Sequence, residues 1–107
     1  MLDGIYRLII TNKMGLMDRL PGSLTQGELT AWNANFSLSG SVNYYNSEIY
    51  IMKSTKANVK RSVLDDLDSY QFKGTTTIHS DGFTIIETGG GLELIVAAIK
   101  EDVFLHL

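Results

Sequence analysis

Residues 36–44 alternate without a break. Phe36, Leu38, Gly40, Val42 and Tyr44 fall on one face, and Ser37, Ser39, Ser41 and Asn43 on the other. Residues 70–78 repeat the arrangement, with Tyr70, Phe72, Gly74, Thr76 and Ile78 opposite Gln71, Lys73, Thr75 and Thr77. A period of two describes a strand with one side in a core and one in water; a helix would scatter both sets around its circumference. The chain is thereby constrained to β structure with one wet face.

The remaining segments fit the same scheme. Strands are predicted at Gly4–Thr11, Arg19–Leu24, Glu28–Asn33, Glu48–Ser54, Phe83–Thr88 and Leu92–Lys100. Pro21 confines the second of these to an edge or a bulge, because it has no N–H to donate to a ladder. Turns are predicted at Asn12 to Gly15, at Thr25-Gln26-Gly27, at Tyr45-Asn46-Ser47, at Ser80-Asp81-Gly82 and at the triple glycine 89–91. Val63, Leu64 and Leu67 lie at helical spacing and predict one short helical turn over Ser62–Leu67. About eight strands joined mostly by short hairpins make an antiparallel up-and-down meander, closed into a barrel or folded as a sandwich. Gly40 and Gly74 favour the barrel, since each sits mid-strand on the apolar face, where a closing sheet must bend. Closure also removes exposed edges. The bulky inward candidates Phe36, Leu38, Tyr44, Phe72 and Ile78 predict a filled interior, although the two glycines could instead make room for one small apolar ligand.

At 107 residues the chain has room for one domain, spanning 1–107. It contains no cysteine, which excludes disulfides and thiolate metal sites. Its net charge of −3 argues against a broad phosphate-binding face. No apolar run approaches the ~20 residues of a transmembrane helix. The segment after Met1 enters a strand pattern without the basic start of a signal peptide, which predicts a cytoplasmic protein. Asn35-Phe36-Ser37 matches a glycosylation acceptor, incidental in that compartment.

Three segments break the alternation: 8–10, 49–52 and 94–99 are apolar on both faces. In a one-layer barrel an apolar outer face needs a cover. A homodimer supplies one economically, with Ile49, Ile51, Ile95 and Ala97 as candidate interface residues. The alternative cover is the C-terminal tail with Val103, Phe104 and Leu105.

No catalytic or metal site emerges from the sequence. His79 and His106 have no partner at ligand spacing. Asp65, Asp66 and Asp68 flank Leu67 and read as solvated charge capping a short helical turn. The triple glycine is followed by a strand, so it lacks the helix N-terminus that a phosphate loop uses. Lys53, Lys56, Lys60 and Arg61 form a basic run without interleaved aromatics, which reads as solvated loop charge before a nucleic-acid patch. The expectation is a protein with no catalytic residues, no metal and no cofactor.

The order of segments adds a family reading. GIYRLIIT at the N-terminus, the Gly27-Glu28-Leu29 turn and strand, NFSLSGSVN, then Ser62-Val63-Leu64 shortly before Asp68-Ser69-Tyr70-Gln71-Phe72 follow one another as an ordered series in which no single motif is highly specific. Over Gly4 to Phe72 the chain resembles the small bacterial negative regulators of type III secretion, the locus of enterocyte effacement repressor family. That resemblance implies a lipocalin-like eight-stranded barrel, paired as a homodimer, with no catalytic role. It implies negative transcription regulation by protein binding, in which the barrel holds a DNA-binding activator away from its genes. In the best-known member an acidic surface run contributes to activator binding. The matching positions here are Tyr44, Tyr45, Asn46 and Ser47, or one residue later, ending at Glu48. These five are the candidate partner-binding residues, but the acidic run itself is absent, and Tyr45 stands as an aromatic anchor in its place.

Overall fold

The computed structural model describes residues 3–54 and 62–101. Within them the chain is all β: β1 (Gly4–Thr11), β2 (Met17–Thr25), β3 (Glu28–Trp32), β4 (Phe36–Val42), β5 (Asn46–Lys53), β6 (Ser69–His79), β7 (Gly82–Glu87) and β8 (Ile95–Lys100). Each strand pairs antiparallel with its neighbour in sequence, and β8 pairs with β1 to close the barrel. The eight-stranded antiparallel barrel expected from the alternation is the fold observed.

Alternation carries through the register. Leu8 and Ile10 of β1, Leu38 and Val42 of β4, Ile49 and Ile51 of β5, Phe72 of β6 and Ile85 of β7 are all buried in one core. Each such side chain contributes about 1.5–3 kcal/mol by leaving water. Gly40 and Gly74 lie on this inward face as expected. The space beside them is occupied: a Cβ on Gly40 would fall 2.6 Å from Ile49 Cδ1, and one on Gly74 would fall 2.6 Å from Ile85 Cγ2. The glycines admit the neighbouring Ile49 and Ile85 side chains along the barrel wall.

Several expectations are corrected. Ile49 and Ile51 are buried inside the barrel and cannot line an outer interface, because the period of two turns Tyr50 and Met52 outward instead. Tyr44 and Ile78 have the inward phase but lie beyond the rim, so both are exposed. Residues 62–67 make two tight turns, closed by Asp65 N–H to the Ser62 carbonyl and Leu67 N–H to the Leu64 carbonyl, with Asp65 at a φ of 58°. The left-handed residue breaks the expected helical turn, and Asp65, Asp66 and Asp68 are exposed without a helix to cap. Leu92 and Leu94 precede β8 instead of belonging to it. Pro21 sits inside β2 with no free sheet edge. The β2–β3 ladder runs only over Gly22–Thr25, so it ends next to Pro21 and asks nothing of its missing N–H.

The two ends of the barrel differ. One carries the β1–β2, β3–β4, β5–β6 and β7–β8 connections and is plugged. Val63 and Leu64 are buried there beside Leu92 and Leu94. Asn12 pins this plug: its Nδ2 donates to the Val63 carbonyl at 3.2 Å, and its Oδ1 accepts from the Met14 and Leu16 N–H groups. The Val63 N–H donates to Asp18 Oδ2 at 3.1 Å. The other end, the mouth of the barrel, carries the β2–β3, β4–β5 and β6–β7 turns.

Candidate functional site

Around the core of buried apolar side chains, the barrel presents two outer walls and a mouth. The first wall spans β7, β8, β1 and β2. Ile86 pairs across to Ile95, Ile95 to Thr11, and Thr11 to Met17. The next row holds Thr84, Ala97, Ile9 and Arg19, and Ile99 follows beside Arg7. Ile86, Ile95 and Ile99 stand 47%, 39% and 45% exposed, so this is a continuous aliphatic surface facing water. Arg7 borders it and pairs with Glu101 at 2.9 Å. Ile95 and Ala97, two of the four expected interface residues, project from this wall, and Ile9, Ile86 and Ile99 join them.

The opposite wall is rich in hydroxyl groups. Ser37, Ser39 and Ser41 run down β4, flanked by Trp32 and Thr30 on β3 and by Met52, Tyr50 and Glu48 on β5. Glu48 lies 3.6 Å from Lys73 on β6, an exposed pair of little energetic weight. Trp32 is highly exposed here, and nothing in its sequence context singled it out. Its phase opposite Leu29 and Ala31 is the signal that could have done so.

The five expected partner-binding residues do not share one face. Tyr44 and Tyr45 form the β4–β5 turn, and Tyr45 is 81% exposed. Asn46 and Glu48 point outward on β5. Ser47 is only 1% exposed: it faces inward and shares a 2.6 Å hydrogen bond with the Thr76 hydroxyl. Alternation alone excludes it from any outer contact. Lys53 is partly exposed, whereas Lys56, Lys60, Arg61, His106 and Val103 to Leu105 lie outside the described residues.

The mouth is built by the same phase that builds the core, continued past the rim. Tyr6 and Phe83 close the top of the core with ring centroids 5.3 Å apart. Burial, with the nearby Asp3 carboxylate as a lesser cause, raises the Tyr6 pKa and keeps the phenol protonated. Beside Tyr6 lies a half-open cavity of about 180 Å³, lined also by Tyr44, Ile78, Asp81 and Lys100. Lys100 is opposite Tyr6 in the β1–β8 register, and its stem packs over the bare backbone of Gly4. The Lys100 N–H donates to the Asp81 carbonyl at 2.7 Å, which fixes the β6–β7 turn beside it. His79 donates to or accepts from the Thr84 hydroxyl at 2.9 Å and is exposed.

Among the described residues no group of three or more His, Cys, Asp or Glu side chains could hold a metal ion. No helix among them is long and apolar enough to cross a membrane. No model of a known protein family matches the chain, and no curated protein matches it either.

Proposed function

We propose that this barrel is a non-enzymatic cytoplasmic regulator that acts by protein–protein contact, as a homodimer paired through its aliphatic wall. The observation that carries the reading is an outer wall on which Ile86, Ile95 and Ile99 are exposed and Ile9 and Ala97 half-buried, over a core of buried apolar side chains. Exposed aliphatic surface of this kind is characteristic of an interface. The hydroxyl-rich wall and the Tyr44–Tyr45 turn then remain accessible to a second protein.

The sequence resemblance to bacterial negative regulators of type III secretion supplies the partner class: a DNA-binding transcription activator. The net charge of −3 suits the basic surface of such a partner through long-range attraction. Close contact falls to Tyr45, because Asn46 is uncharged and Glu48 already faces Lys73.

The test is native mass spectrometry of wild-type and Tyr45→Ala protein purified gently from the natural source. The expected result is a dimer that carries a second polypeptide, with that polypeptide lost from Tyr45→Ala while the dimer persists. A monomer carrying no polypeptide contradicts the reading.

A further inference from the structure

We propose that residues 88–94 form a strap that opens together with the turns at 62–67, as one cooperative lid on the closed end of the barrel, while the strands stay paired. The inference goes beyond the protein-contact reading and does not depend on it.

The first argument is the backbone of the strap. The β7–β8 ladder runs from Gly82 opposite Ile99 to Ile86 opposite Ile95, and the chain between Glu87 and Ile95 leaves it. Gly89, Gly90 and Gly91 then adopt φ angles of 83°, 75° and 75°, and Glu93 one of 53°. Glycine enters this left-handed region freely and regains the most conformational entropy when it is released. Glu93 lacks that freedom, so its Cβ adds steric strain that the closed strap imposes. Both effects favour release.

The second argument is how the closed strap is held. Leu92 and Leu94 are buried, and their N–H groups donate to side chains instead of to a strand. Leu92 donates to the Tyr70 hydroxyl at 3.1 Å and Leu94 to Glu87 Oε1 at 2.9 Å, while the Tyr70 hydroxyl donates to Glu87 Oε2. Bare backbone at Gly91 makes this seat, because a Cβ there would collide with the Tyr70 hydroxyl. A segment tied by two side chains and two leucines opens at lower free energy than strands with a ladder on each side.

The third argument is coupling. Asn12 and Lys13 are neighbours in the β1–β2 connection, and each holds a different half of the lid. Asn12 Nδ2 donates to the Val63 carbonyl at 3.2 Å. The Lys13 N–H donates to the Leu92 carbonyl at 3.1 Å, and its Nζ to the Gly91 carbonyl at 3.0 Å. Val63 and Leu64 also share the buried core with Leu92 and Leu94. Lifting the strap frees Lys13, loosens the anchor next to it and removes apolar cover from the turns, so the two halves open together.

The experiment is native-state hydrogen exchange of the full chain, followed by NMR. The expected result is that the amides of Val63, Asp65, Leu92 and Leu94 share one opening free energy, below that of the β4 and β5 amides. Tyr70→Phe removes the tie of the strap and leaves the Asn12 and Asp18 bonds to the turns in place. It should speed exchange of all these amides by one common factor, about tenfold for the loss of this tie. Gly90→Ala breaks no hydrogen bond but strains the closed strap at a φ of 75°, and it should speed the same amides together. Faster exchange at Leu92 and Leu94 with Val63 and Asp65 unchanged would overturn the shared lid. Wild-type exchange of these amides only at the free energy of β4 and β5 would overturn it equally.

Discussion

At the scale of single residues, Gly40 and Gly74 show how far a pattern reaches. Their phase on the apolar face is visible in the sequence, and it places them correctly inside the barrel. What fills the space beside them is not visible, because Ile49 and Ile85 come from strands whose register is a tertiary property. Gly40→Val should lower stability by about 1–3 kcal/mol in urea unfolding, since its Cβ would lie 2.5 Å from the Glu48 carbonyl oxygen, an atom of the paired backbone. An unchanged midpoint would mean that the sheet opens there easily. Asp18 is the opposite case, a residue with no sequence signal that acquires a role through the plug. Burial raises its carboxyl pKa, partly offset by the Val63 N–H that it accepts. The folded state therefore holds this proton more tightly than the unfolded chain. Its contribution is largest below the ordinary carboxyl range and declines as pH rises through the raised value. Asp18→Asn keeps an oxygen for Val63 without the buried charge, so at pH 7 it should match or exceed wild-type stability. A loss of more than about 1 kcal/mol would show that the anion itself holds the plug.

At the scale of elements, strands with one wet face and the short turns between them were legible to within a residue or two, whereas the turns at 62–67 and the residues just before β8 were not. The β7–β8 connection is held by side chains that no local pattern pairs. The Tyr70 hydroxyl donates to Glu87 Oε2 and accepts from the Leu92 N–H, while Glu87 Oε1 accepts from the Leu94 N–H. These bonds seat Leu92 and Leu94 at the closed end, where sequence reading had extended the strand. Tyr70→Phe should cost about 1–2 kcal/mol and speed amide exchange at Leu92, because it strands one acceptor and one donor. Burial, followed by the bond to Glu87, raises the Tyr70 pKa. The resulting stabilisation is complete below the ordinary phenol value of about 10 and lost as pH rises through the higher folded value. The alkaline arm of the wild-type stability profile should thus be steeper than that of Tyr70→Phe. Identical arms would indicate that Tyr70 ionises as freely folded as unfolded. Pro21 teaches a related point: its lack of an N–H calls for an edge or a bulge, and the barrel answers by ending the β2–β3 ladder beside it.

At the scale of the whole molecule, the doubly apolar strands announced that an outer face would be exposed, but only closure of the barrel decides which side chains occupy it. Of the four residues anticipated at the interface, alternation sends Ile49 and Ile51 inward and leaves Ile95 and Ala97 outward. Lysine at either kind of position gives opposite outcomes. Ile51→Lys buries an unpaired ammonium and should prevent folding. Ile95→Lys places the charge in water on the free barrel and in the contact of the dimer. The most direct test of the account is sedimentation equilibrium of the wild type and Ile95→Lys, with circular dichroism verifying that both are folded. The account predicts a wild-type dimer and a folded Ile95→Lys monomer; a wild-type monomer, or an Ile95→Lys protein that remains dimeric, would contradict it.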